Sequence, residues 1–292
     1  MRGKISALLL GLAWLACGPL PASSAELIAG VSILPQAYFV ERVGGDKVKA
    51  LVMVPPGQSP ETYSPTPRQM AQLDAAKVYF RMGLPFEEVF LPKMRANYPR
   101  LAMVDLRSGI NLRPLEEDHH DKGQNHRHGH GEMDPHIWLD PALVKIQAGT
   151  ICQALKGLEP AAAPYFEKNL QSFQADLDDL HSRLAKVLAP LRGKTMFVYH
   201  PAFGYLASAY GLKQKAIETG GKSPGPRQLA ALIEQAKQEK IRVIFVEPQF
   251  DQKTAQAMAR AIGGAVVPID PLARDYLKNL AFVAEAMARH LK

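Results

Sequence analysis

Cysteine is nearly missing from this chain of 292 residues: Cys17 and Cys152 are the whole supply. Cys17 lies in an apolar leader, so the rest of the chain carries one thiol and cannot form an intramolecular disulfide. A lone cysteine within AGTICQALK reads as a helix core residue rather than a nucleophile. Long apolar runs are also missing after residue 25, and none of the remaining stretches is long enough to span a bilayer. Basic runs and aromatic–basic motifs are absent, although the formal charge is +7. Without Arg2 and Lys4 the charge falls from +7 to +5, an excess too small and too scattered to imply nucleic acid as a partner.

The leader itself has a recognisable build. MRGK is basic, ISALLLGLAWLAC is a short apolar core, and PASSA supplies small residues before Glu26. That is the pattern of a secretory signal, with cleavage expected after Ala25 and export to the periplasm. WLAC offers a second reading, a lipoprotein anchored at Cys17, which Trp14 fits poorly. The remainder is 47% apolar and 22% charged over the full chain, ordinary for a soluble protein, and long enough for two domains.

Past the leader, strand and helix patterns alternate. Strands are expected near 27–33, 48–54, 77–82 and 101–105, with helices near 35–43, 66–75 and 85–97 between them. The rhythm returns with strands near 194–199, 213–218, 241–246 and 265–269, and helices near 202–210, 226–239 and 252–262. IRVIFV is a continuous β-branched and aromatic run, as in a parallel strand covered on both faces. The expected fold class is α/β, two lobes that are each a parallel sheet flanked by helices. Between them Phe166, Leu170, Phe173, Leu177, Leu180, Leu184 and Val187 form one apolar stripe, bounded by Pro164 and Pro190. It predicts a long rigid helix joining the lobes, about 37 Å at 1.5 Å per residue. An ordinary long core helix fits the same stripe. The expected organisation is a signal peptide at 1–25, a first lobe at 26–160, a linking helix at 161–190 and a second lobe at 191–292.

One segment breaks this pattern. LEEDHHDKGQNHRHGHGEM, residues 115–133, carries His119, His120, His126, His128 and His130 without apolar periodicity. It cannot bury enough surface to order itself and is expected to be a mobile loop. Its imidazoles suit weak accessory binding of zinc, copper or nickel; a solvated low-complexity insert is the plainer reading.

Elsewhere histidine is rare. His181 sits off the apolar stripe and His290 in the C-terminal tail, both expected to be solvated. His136, in DPHIWLDP, lies between two Asp-Pro turns, and His200, in MFVYHPAFGY, ends a strand. Acids share such positions: Glu61 follows the second strand, Glu247 ends IRVIFVEP and Asp270 ends AVVPIDP. Parallel sheets take ligands beyond the carboxyl ends of their strands. These five groups could supply a zinc site of nitrogen and oxygen donors. Acids at strand ends also cap helices or pair with arginine, so a structural reading stays open.

At this point the motifs match a family. PPGQSPETYSPTPRQM, DPHIWLDP, VYHPAFGYLASAYGL, VIFVEPQF and IDPLARDY together resemble the periplasmic zinc-binding proteins of bacterial ABC-type zinc importers, within the metal-specific solute-binding proteins of cluster A-I. The resemblance covers nearly the whole chain after the leader. It implies two α/β lobes joined by one rigid helix with the metal between them, and a His/acid-rich loop ahead of the second ligand histidine. It assigns His136 and His200 to two ligand histidines and Asp270 to an acidic ligand position. Histidine at 200 points to the zinc branch, because manganese-type relatives carry glutamate there. The departure is Glu61, which stands where the family has histidine after proline. Glu247 is left as a further ligand or a support behind one.

The resemblance thus implies a Zn²⁺-capturing protein, expected to be a monomer, that delivers its ion to an inner-membrane ABC permease and its cytoplasmic ATPase. Manganese or ferrous iron is the alternative cargo, since a shell of two histidines and two carboxylates is also the manganese-type count. A metal buffer or adhesin and a secreted zinc hydrolase are readings from other classes. Against the hydrolase, no His-Glu-x-x-His pattern is present and enclosure between lobes would exclude a bulky substrate.

Overall fold

The computed structural model describes residues 26–115, 133–218, 222–250 and 252–291. The leader, with its signal-peptide and Cys17 readings, and the segment carrying His119, His120, His126, His128 and His130 lie outside the described residues. Among the described residues no helix is long and apolar enough to cross a membrane.

The chain builds two four-stranded parallel sheets. The first contains β1 (Leu27–Val31), β2 (Val48–Val52), β3 (Val78–Arg81) and β4 (Ala102–Asp105). The second contains β5 (Thr195–Val198), β6 (Lys213–Ala216), β7 (Val243–Val246) and β8 (Ala265–Pro268). The orders are β2-β1-β3-β4 and β6-β5-β7-β8, the same pattern twice. Each expected strand is present, shortened by a residue or two at its ends. All four residues of β7, VIFV, are buried, as a strand covered on both faces requires.

In each sheet the order reverses between the two central strands, and the crevice beyond their carboxyl ends is the place for a ligand. The first sheet fills its own crevice. Glu87 is fully buried there and accepts from Met82 N (3.0 Å), Gly83 N (2.7 Å) and the Ser32 hydroxyl. Gln36 Oε1 accepts from Ser32 N at 2.9 Å while its Nε2 donates to the Phe80 carbonyl at 3.0 Å. At the second sheet the crevice opens instead onto His200, just past β5, and Glu247, just past β7.

Helices α1 (Leu34–Gly44), α2 (Pro67–Gln72), α3 (Pro85–Asn97) and α4 (Pro141–Leu158) belong to the first half of the chain, and each has proline in its first turn. Proline there loses no hydrogen bond and presets φ for the helix. Then comes α5 (Ala163–Leu188), followed by α6 (Gly204–Tyr210), α7 (Pro226–Gln238), α8 (Gln252–Ala261) and α9 (Tyr276–His290). The 26 residues of α5 span about 39 Å. Phe166, Phe173, Leu177, Leu180, Leu184 and Leu188 are its buried face. Packed against α1, α4 and α9, it is the link between lobes and a core helix at once.

Two expectations differ. The chain does not end in a tail: α9 runs to His290, which is exposed at its last position. Its apolar face relies on Ala281, Ala284 and Ala286 beside Tyr276, Leu280, Val283 and Met287, a pattern that small residues blur. His181 is not freely solvated, since α6 packs beside α5 and brings the Tyr210 hydroxyl 3.1 Å from His181 Nδ1. The main apolar core is continuous from β1 and α1 through α5 to α9, β5 and α6. A separate cluster lies under α7 and α8. Trp138 Nε1 donates to the Pro271 carbonyl at 2.8 Å and Arg274 pairs with Glu41 at 2.6 Å, so polar contacts also join the two halves.

Candidate metal centre

Three loops converge between the lobes. The first leaves β2 and is fixed at its far end by a reciprocal cap. Thr66 Oγ1 accepts from Gln69 N at 3.3 Å, and Gln69 Oε1 accepts from Thr66 N at 2.9 Å. The Tyr63 hydroxyl donates to Gln69 Oε1 at 2.6 Å, and Gln69 Nε2 reaches back to the Met53 carbonyl at 2.7 Å. Both ends of the loop therefore hang from one side chain. Glu61 lies between them, with its N–H donating to Ser59 Oγ at 3.2 Å.

The second loop carries His136. Asp134, two residues earlier, uses one oxygen for both the His136 backbone N–H (3.0 Å) and ring Nδ1 (2.7 Å). An Asp-x-His spacing makes this double contact local. The third position is His200, whose Nδ1 meets the buried carboxylate of Glu218 at the exit of β6. With each Nδ1 against a carboxylate, each ring keeps its proton there and presents the Nε2 lone pair.

The two lone pairs face each other. His136 Nε2 and His200 Nε2 are 3.1 Å apart, and Glu61 Oε1 is 3.6 Å from His200 Nε2. One donor atom from each of Glu61, His136 and His200 lies within 4.8 Å of the others, the one such group among the described residues. Donors at a tetrahedral zinc, with bonds near 2.0–2.1 Å, stand about 3.3–3.4 Å apart. The observed distances straddle that value. Lone pairs at this separation repel unless a cation lies between them, so the donor set fits a small divalent ion.

The surroundings are dry. His136 and His200 are buried. Phe250 stacks on His200 at 4.8 Å between ring centroids, and Trp138 lies 5.1 Å from His136. Glu247 supports this wall: fully buried, it accepts from His200 N at 3.2 Å through Oε2. Burial, with Glu218 and Asp270 adding like charge, pushes its carboxyl well above the usual range.

The sequence-predicted residues thus divide. Glu61, His136 and His200 come together. Asp270 is not in the group: its Oδ1 accepts from Gln249 Nε2 and Leu272 N, both at 2.8 Å. Glu247 stands behind His200 rather than beside its Nε2. Asp134 and Glu218 were missed. Glu218 occupies the same strand-exit position as the other candidates, and Asp134 stands two residues before a candidate histidine; both signals were legible.

Comparison with known proteins follows the same line. The family described as zinc-uptake complex component A, periplasmic (ZnuA), matches residues 30–290. The high-affinity zinc uptake system protein ZnuA of Yersinia pestis is 28% identical over 283 residues, covering 90% of this chain and 88% of its own. The protein of the same description from Bacillus subtilis is 29% identical over 243 residues, covering 82% and 76%. A crystal structure of ZnuA superposes with a TM-score of 0.84 at 38% identity, over 91% of this chain and 100% of that one.

Proposed function

Since the chain belongs to the periplasmic zinc-uptake component A family, a metal solute-binding family of ABC import, we propose that it captures Zn²⁺ between its lobes and delivers it to an inner-membrane permease. Its role is binding and hand-over in the periplasm, not turnover. Glu61 Oε1, His136 Nε2 and His200 Nε2 are three ligands, and Asp270 or water completes the shell. Behind them Asp134 and Glu218 fix the rings and raise their basicity. The observation that carries the reading is the pair of Nε2 atoms aimed at each other at 3.1 Å, each ring braced from behind by a carboxylate. The accessory histidines at 119, 120, 126, 128 and 130 gather metal weakly.

Glu61 favours a second cargo within the same function. An oxygen donor in place of nitrogen shifts preference toward manganese or ferrous iron. Competition titrations of the chain lacking residues 1–25, stripped of metal, decide between them. One zinc bound tightly, manganese bound more weakly, and loss of both in His200→Ala are expected. Manganese binding tighter than zinc would replace the cargo, and unchanged affinity in His200→Ala would remove the site.

A further inference from the structure

We propose that Arg113 is a positioning residue of this metal centre, closing a ring of contacts that fixes the two histidines relative to each other across the lobe boundary. The inference rests on the ligand assignment above. Arg113 follows β4 in the first lobe. Its N–H donates to the Tyr205 hydroxyl at 3.1 Å, and that hydroxyl donates onward to the Asp134 carbonyl at 3.1 Å. Asp134 N returns to the Arg113 carbonyl at 2.9 Å. The guanidinium then spans the boundary. Nη1 donates to the Gly204 carbonyl, Nε stands 3.9 Å from Asp134 Oδ2, and Cζ lies 5.8 Å from the centre of the Tyr205 ring.

Each member of the ring touches a ligand histidine through a short path. The two oxygens of Asp134 divide their work: Oδ1 holds His136 by its backbone and ring, and Oδ2 faces Arg113. Gly204 and Tyr205 begin α6, directly after the short turn that follows His200. Glycine is required at 204 by space, because a Cβ there would come within 2.9 Å of Asp134 Oδ2 and 3.2 Å of Arg113 Nη1. The main chain carrying one ligand is thereby held against the side chain that orients the other.

The sign of the effect separates positioning from its rivals. A guanidinium near a cation site opposes metal binding by Coulomb repulsion, so removing it for charge reasons alone would tighten binding. A residue serving the fold alone would lower the melting temperature and leave affinity untouched. Loss of positioning weakens binding.

The test uses the chain lacking residues 1–25, with zinc affinity by competition, the visible spectrum of the Co²⁺-loaded protein, and melting of the metal-free form. Arg113→Met is expected to weaken zinc by about 10–100-fold, the usual cost of losing support behind a ligand, and to alter the Co²⁺ ligand-field bands. Arg113→Lys keeps the charge but not the planar fork, and is expected to weaken zinc as well. Tyr205→Phe removes the bridging hydroxyl at no change in charge and should weaken zinc too. Should Arg113→Met fail to fold, the other two variants decide by the same criteria. Affinity equal to or tighter than wild type, with an unchanged Co²⁺ spectrum, overturns the inference. His136→Ala is run beside them: its loss of zinc keeps the ligand reading standing whatever Arg113 does, and its retention of zinc would sink that reading instead.

Discussion

With Glu61 as a ligand, two neutral imidazoles and one carboxylate surround a divalent ion and leave the shell at +1 before a fourth donor joins. Replacing Glu61 by alanine removes a donor and that charge together, so Glu61→Ala should bind every divalent metal more weakly. Glu61→His should keep zinc and widen its margin over manganese, because nitrogen donors suit zinc and oxygen donors suit manganese. Paired zinc and manganese titrations check both; equal affinities in wild type and Glu61→Ala would remove Glu61 from the shell. Protons compete with metal for the Nε2 lone pairs, so zinc affinity should fall from about pH 7 to about pH 5. A flat profile over that range would mean that carboxylates alone hold the ion. At this scale the sequence was informative wherever a rare residue stood at a strand exit. Histidine is scarce outside residues 115–133, which singled out His136 and His200. Asp134 and Glu218 escaped because acids are common and their role depends on which ring atom they face. Asp270 stood at a strand exit too, yet its hydrogen bonds to Gln249 and Leu272 are set by a loop fold that spacing does not encode.

At the scale of elements, the strands were legible because parallel strands are continuous apolar runs, and α5 because its stripe repeats without interruption over six turns or so. The last helix was hidden by its alanines, which pack closely in α9 while carrying little apolar weight of their own. The α5 stripe has a measurable cost of disruption. Leu177 is fully buried on it, so Leu177→Ala should destabilise the protein by about 2–5 kcal/mol through lost transfer energy and the cavity left behind. Urea unfolding of the metal-free chain reads this directly, and a loss under about 1 kcal/mol would show that the neighbours collapse into the space. The insert between β4 and α4 behaves as a separable element for a structural reason. Pro114 and Met133 are paired as an antiparallel bridge, so the ends of the segment 116–132 already meet. Deleting that segment should remove weak extra metal sites and leave the tight one, as calorimetry would show by stoichiometry; loss of the tight site would place a ligand in the segment.

At the scale of the whole molecule, two sheets of the same strand order do not make two independent bodies. The first sheet plugs its own crevice with Glu87, while the second leaves its crevice to His200 and Glu247, so the halves are alike in topology and unlike in use. The continuous core that runs from β1 through α5 to β5 and α9 has a consequence for how the molecule comes apart. Neither half can lose its packing without exposing apolar surface of the other, so the metal-free protein should melt in one calorimetric transition with van't Hoff and calorimetric enthalpies in agreement. Two resolved peaks would divide the core. Amide exchange sharpens the expectation. The amides of β1 and β5, in different sheets, should belong to one slowest class, because both open only with global unfolding. Those of α7 and α8, which cover the separate outer cluster, should exchange ahead of them, making that outer layer the region where the fold first yields.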